Sequence, residues 1–239
     1  MTLCRVPSQW QPGEIVTIGS MLLSDSNAEP IQTLVADLRD YPQWRRGRLR
    51  YGVWVVPFED PALLDYISSA RGQLADLLHP SPHRQAHLTV FVCGFHGEGE
   101  RDDDFPPARL EQQVTLLQAQ AGAACSLPLA RLDSFASAAF IPVGDPMGRL
   151  AQWRRALGTC SGEIRQAPYI AHITLGLYRR SVSAPELRQR LADVAAPPPS
   201  LRATELQYVT FDARDQLGPL ECVRRVVLDQ ALETSHGTP

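Results

Sequence analysis

Two tetrapeptides of one form, His87-Leu88-Thr89-Val90 and His172-Ile173-Thr174-Leu175, carry the side chains best suited to chemistry in this chain. Each lies in an apolar run that reads as a buried β-strand, where alternate side chains point to opposite faces. Each strand would therefore present an imidazole and a hydroxyl together and seat its aliphatic face in a core. An imidazole with an ordinary pKa near 6.5 gives or takes a proton at neutral pH. One histidine can act as general base and the other as general acid on opposite sides of a reacting centre. A threonine hydroxyl can donate to an anionic oxygen. Two of each suit a tetrahedral phosphorus: the hydroxyls hold non-bridging oxygens while the imidazoles activate the nucleophile and protonate the leaving oxygen. In-line phosphoryl transfer needs positioning and charge stabilisation above all.

Composition alone yields only about 0.05 such tetrapeptides in a chain of this size, so two copies are not an accident. The bland alternative makes both histidines satisfied polar residues at strand ends. Other chemistries fit less well. Neither histidine has a His or carboxylate partner at metal-ligand spacing, and neither a metal nor a cofactor is expected. His79, His83 and His87 recur every fourth residue, but Pro80 and Pro82 bar the helix that would align them. There is no GxSxG, Walker loop or GxGxxG.

The elements that must position these residues repeat. Tyr51 to Val56 reads as a strand and Pro61 to Leu78 as a helix, followed by the first His strand. A helix then runs from Pro106 and Pro107 to Gln120, and Ser126 to Phe135 reads as a strand. Ala138 to Val143 starts the series again, with a helix from Pro146 to Leu157, the second His strand and a helix from Pro185 to Val194. Strands at Leu201 to Phe211 and Leu220 to Leu228 follow. The interval from the first strand to the histidine is about 36 residues in one half and about 34 in the other, as an internal duplication requires. Alternating strands and helices in two similar halves predict an α+β protein of two lobes, 51–135 and 138–228, with strand exchange between them allowed. Ahead of them, residues 1–28 read as a loose arm and Glu29 to Asp40 as a helix on its apolar spacing. The basic, aromatic stretch Tyr41-Pro42-Gln43-Trp44-Arg45-Arg46-Gly47-Arg48-Leu49-Arg50 reads as a solvated connector or a phosphate- or base-contacting lip. Residues 229–239 read as a tail.

The 239 residues carry a net charge of −3, so no global positive field draws the chain to nucleic acid or acidic membranes. No apolar run reaches the length of a membrane span, and no signal-peptide pattern stands at the N-terminus. Five scattered cysteines without CxxC spacing read as reduced thiols and predict a cytoplasmic protein.

The duplicated HxTx strands resemble those of the two-histidine (2H) phosphoesterase superfamily, and of its bacterial 2′-5′ RNA ligase-like cyclic phosphodiesterases in particular. The likeness covers about Tyr51 to Leu228. Gly94, seven residues after His87, and the segment Leu132 to Val143 are also similar to the family pattern. The resemblance implies a duplicated bilobal fold, with two antiparallel-rich sheets and outer helices around a central cleft. It implies hydrolysis of a 2′,3′-cyclic phosphate on an RNA end or nucleotide, with ligation as the same chemistry run backward. His87, Thr89, His172 and Thr174 would be the catalytic residues. By analogy His87 protonates the leaving ribose oxygen and His172 activates water, roles that exchange when the reaction reverses. Many relatives carry an arginine five residues after the second histidine, where this chain has Leu177. By strand parity Phe91 and Tyr178 share the faces of the histidines and are expected to stack on a base, whereas Trp54 and Phe140 are expected in the core. A near-neutral chain leans toward a small or short substrate, and a monomer is expected. The rival expectation is a non-catalytic RNA- or nucleotide-binding module on the same scaffold.

Overall fold

The computed structural model describes residues 31–97, 99, 101–165 and 167–229. The chain runs α1 (Pro42–Arg45), β1 (Arg50–Pro57), α2 (Pro61–Gln73), β2 (His87–His96), β3 (Asp104–Phe105), α3 (Pro107–Gln120), β4 (Cys125–Pro128) and β5 (Asp133–Ser134). It continues β6 (Ala138–Pro142), α4 (Arg149–Gly158), β7 (His172–Leu177), α5 (Ala184–Asp193), β8 (Ser200–Ala203), β9 (Glu205–Asp212) and β10 (Glu221–Val227). Helices start where the sequence supplies caps and N-terminal prolines. Asp60 accepts from the Leu63 amide at 2.9 Å ahead of Pro61, and Ser183 from the Glu186 amide at 3.3 Å ahead of Pro185.

The strands lie in the order β10-β9-β1-β2-β7-β6-β5, with β3 parallel to the far end of β2 and every other neighbour antiparallel. The His strands of the two halves pair directly at one position, Leu88 opposite Ile173. Beyond it the loop before β7 takes over the open edge of β2. The Tyr169 hydroxyl donates to the Thr89 carbonyl at 2.9 Å, and Ile164 N–H to the Val92 carbonyl at 3.1 Å. A separate ribbon pairs β4 with β8.

One sheet face carries α2 to α5. Leu63 and Ile67, Leu110 and Leu117, Trp153 and Leu157, and Leu187 and Leu191 pack with Trp54, Leu88, Ile173 and Tyr208 in one large cluster. Trp54 is fully buried there, its indole N–H donating to Gln113 Oε1 at 2.7 Å. The other face holds two smaller clusters, one around Tyr51, Phe95 and Phe211 and one around Phe135, Phe140 and Leu177. The cleft lies on this second face.

Three expectations are corrected. Residues 32–40 form no helix: the amides of Thr33, Leu34 and Ala36 donate to the carbonyls of Val182, Ala136 and Tyr178 at 2.7–2.8 Å. Once those donors are satisfied by the second half, no helical ladder can use them, and Ile31 and Val35 stay 82% and 54% exposed. The run from Leu201 to Phe211 breaks at Thr204, because β8 pairs with β4 and β9 pairs with β1. β9 and β10 therefore complete the first half's sheet. Ser126 to Phe135 likewise splits into β4 and β5. The expected arm over 1–28 and nearly all of the tail lie outside the described residues.

Gly94 marks a second irregularity of β2. Its φ is +111°, and a Cβ there would stand 2.4 Å from the Asp103 carbonyl oxygen. At Gly47, with φ +84°, a Cβ would meet open space. Gly94→Ala is expected to cost about 2–4 kcal/mol in urea unfolding, and Gly47→Ala only about 1 kcal/mol, the left-handed penalty alone. Equal losses would show that close packing at Gly94 is unimportant.

Candidate active site

His87 and His172 open β2 and β7, and the antiparallel pair Leu88–Ile173 puts His87 across from Thr174 and Thr89 across from His172. The four groups thus share the cleft face around one pseudo-two-fold point. Each imidazole is held the same way. His87 Nδ1 donates to the Gln85 carbonyl at 2.8 Å, and His172 Nδ1 to the Ile170 carbonyl at 2.6 Å, each two residues upstream. That fixes the tautomer: Nε2 is left as the basic nitrogen, without a protein partner among the described residues. Both threonine hydroxyls also lack one.

A β-bulge follows each threonine. Val55 pairs with Thr89 and Trp54 with Phe91, leaving Val90 as an extra residue. Phe140 pairs with Thr174 and Ala139 with Gly176, leaving Leu175 extra. The freed carbonyls are capped reciprocally. Arg154 of α4 donates to the Val90 carbonyl at 2.6 Å, and Arg71 of α2 to the Leu175 carbonyl at 2.7 Å. Each half thus secures the other's bulge. An insertion reverses side-chain parity beyond it. Val92 and Leu177, five residues after their histidines, consequently line the cleft.

The same reversal corrects two expectations. Phe91 is turned into the main core, 2% exposed, and Tyr178 is fully buried there with its hydroxyl 2.6 Å from Ser134 Oγ. Neither is available to stack on a base. Phe140 is buried as expected and packs edge-on against His172, with ring centroids 5.3 Å apart. Phe135 meets the same imidazole at 4.9 Å.

The cleft encloses a cavity of about 90 Å³ walled by His87, Thr89 and Thr174 together with three arginines, Arg71, Arg84 and Arg165. Among the described residues none of these arginines is in an ion pair, and no carboxylate lines the cavity. Arg154, the symmetric counterpart of Arg71, is by contrast paired with Glu163 at 2.5 Å. Arg84 lies 4.4 Å over the Phe211 ring and donates to the Gly218 carbonyl at 3.1 Å. Burial pulls its pKa down to about 10, against the opposing pull of Asp215, and also lowers Arg71 and Arg165. The imidazoles respond to the same environment. Burial, then Arg84, with smaller contributions from His172 and Arg71, lowers His87 to about 3 against the Gln85 carbonyl. Burial, then Arg165, lowers His172 to about 4 against the Ile170 carbonyl. Both rings are neutral at pH 7 in a pocket with unspent positive charge, which is an invitation to an anion.

Sequence reasoning missed these arginines because none belongs to a motif; they come from α2 and from two loops. Leu177 faces the cavity without charge, and the arginines beyond it do not substitute. Arg179 and Arg180 are exposed and bond to Asp76. The basic stretch before β1 is likewise occupied, Arg45 by Asp40 and Arg48 by Asp103 and Asp104. Among the described residues no three His, Cys, Asp or Glu side chains converge as a metal site would need, and no helix is long and apolar enough to cross a membrane.

Comparison with known proteins bears on the fold and the family. Residues 58–215 match the 2′-5′ RNA ligase superfamily. A solved phosphoesterase aligns at 16% identity over 76% of this chain and 99% of its own, with a TM-score of 0.50. A conserved protein of unknown function from Agrobacterium tumefaciens aligns at 16% identity over 76% and 87%, with a TM-score of 0.53. Escherichia coli LigT, solved with NADP+, aligns at 16% identity over 77% and 100%, with a TM-score of 0.48. No curated protein matches. At such identities the likenesses to the phosphoesterase and the Agrobacterium protein speak to the fold, and the sequence match to the family. The two bulged His-x-Thr strands lie side by side along one cleft, and the chain belongs to the 2′-5′ RNA ligase superfamily.

Proposed function

We propose that this protein is a cyclic phosphodiesterase that opens a 2′,3′-cyclic phosphate, on an RNA end or a nucleotide, by His–His acid–base catalysis. The carrying observation is a cavity walled by His87, Thr89, Thr174 and three guanidiniums that have no ion pair among the described residues, with His172 held on the neighbouring strand across from Thr89. The phosphorus sits between Thr89 and Thr174, whose hydroxyls donate to its non-bridging oxygens. One imidazole takes a proton from water through Nε2. The other returns one to the ribose oxygen as the P–O bond breaks. Arg71, Arg84 and Arg165 offset the charge that builds on phosphorus. The protonation pattern follows from the charges. Burial and the arginines keep both rings neutral, and a bound phosphate supplies the negative charge that lets one become imidazolium. The site is complete within one chain, so a monomer suffices.

His87→Ala and His172→Ala should each lower kcat on a nucleoside 2′,3′-cyclic phosphate by about 10²–10⁴-fold, and the double variant by little more, because the two rings act as a unit. EDTA should leave the wild-type rate unchanged. A rate abolished by EDTA, or surviving both substitutions, would sink this mechanism. Nucleotide binding without turnover of any cyclic phosphate would leave a binding module.

Both histidines have folded values below their ordinary 6.5, so below that pH the unfolded chain binds protons that the folded site refuses. Their contribution to stability is full above pH 6.5 and is lost as pH falls toward about 4 and about 3. Urea midpoints should therefore drop from pH 7 to pH 5, less steeply in His172→Gln. Inorganic phosphate should raise the midpoint more at pH 5 than at pH 7. A wild-type slope matched by the variant would contradict the assignment.

A further inference from the structure

The arginines of the basic, aromatic stretch from Tyr41 to Arg50 do not line the cleft cavity. Arg45 grips Asp40 through two nitrogens at 2.8 Å each. Arg48 grips Asp103 at 2.5 and 2.8 Å and Asp104 at 2.5 Å. The same guanidinium donates to the Trp44 carbonyl at 3.1 Å and lies 3.7 Å over the Phe95 ring, while Arg48 Nε donates to the Arg45 carbonyl at 2.9 Å. These contacts fasten α1 to the cleft face of the first half-sheet, and the residue they deliver to the cavity is Trp44.

Trp44 is half-buried. Its ring meets Tyr51 at 5.1 Å and Phe95 at 4.6 Å, both tilted, and it lines the cavity with Tyr51 and Phe211. The cavity therefore has a phosphate end, made by His87, the threonines and the arginines, and an aromatic end. Arg84 joins the two, since it presses on His87 electrostatically and lies over Phe211. Trp44 and Tyr51 both fall outside the 58–215 span of the family match, whereas Phe211 lies within it.

We propose that the aromatic end is a nucleobase subsite in which Trp44 supplies the stacking face, making the substrate a nucleotide held at both its phosphate and its base. The proposal rests on the phosphate end being the reactive centre. A flat π-surface beside an anion site is the pairing that a nucleotide presents in reverse. Stacking tolerates any base, so the subsite favours nucleotides over base-free phosphates without choosing among bases.

The test titrates the full chain by calorimetry with adenosine 3′-monophosphate, ribose 3-phosphate and inorganic phosphate, comparing wild type, Trp44→Ala and Trp44→Phe. Wild type should bind the nucleotide at least tenfold more tightly than ribose 3-phosphate. Trp44→Ala should lose most of that preference while keeping its phosphate affinity within about twofold, and Trp44→Phe should recover most of it. Tryptophan fluorescence should be quenched by the nucleotide in wild type and not in Trp44→Phe. Equal weakening of all three ligands in Trp44→Ala would reduce Trp44 to a structural role and overturn the subsite. So would an unchanged preference, or no nucleotide binding at millimolar concentration. A Trp44-dependent preference without cyclic phosphate turnover would uphold the subsite and remove the reaction. Turnover that ignores the base would do the reverse.

Discussion

One extra residue after each threonine governs the site. The bulges at Val90 and Leu175 let His and Thr face the cleft while the residues just beyond them turn into the core. A regular strand would have presented Phe91 and Tyr178 to the cleft and turned Val92 and Leu177 toward the helix-covered face. Bulges leave carbonyls unpaired, and an unpaired carbonyl in a protein interior is costly. Arg154 and Arg71 remove that cost across the pseudo-two-fold, so neither half is complete alone. The two arginines then diverge. Arg154 is neutralised by Glu163, whereas Arg71 keeps its charge and turns it on the cavity. Symmetry of the fold and asymmetry of the field thus arise from one pair of side chains.

The electrostatics follow from the same frame. A carboxylate beside either imidazole would have raised its pKa and made it a resident cation. Here a backbone carbonyl orients each ring instead, which fixes the tautomer while burial and the arginines oppose the proton. In the proposed reaction, the charge one ring must take up is withheld until an anion enters.

Much of this was legible in the residues. The strand character and twofold recurrence of the His-x-Thr segments, the helices after Pro61 and Pro107, and the core placement of Trp54 all follow from periodicity and caps. What periodicity cannot report is an insertion in register. Phe91 and Tyr178 were misplaced because parity counting assumes a bulge-free strand. The segment before α1 carried helical spacing, yet Thr33, Leu34 and Ala36 found their backbone partners in the second half. Arg71, Arg84 and Arg165 were invisible because only the tertiary fold separates a paired arginine from an unpaired one. Arg45 and Arg48, the conspicuous ones, are the spent ones.

The central claim is that both bulged strands act on a single phosphate. A crystal structure with a nucleoside 3′-monophosphate bound tests it most directly. The account predicts one phosphate with oxygens within hydrogen-bond distance of Nε2 of both His87 and His172 and of both threonine hydroxyls, with Arg71, Arg84 or Arg165 completing its shell. A phosphate held by one strand alone, or lodged away from the Leu88–Ile173 junction, would contradict it.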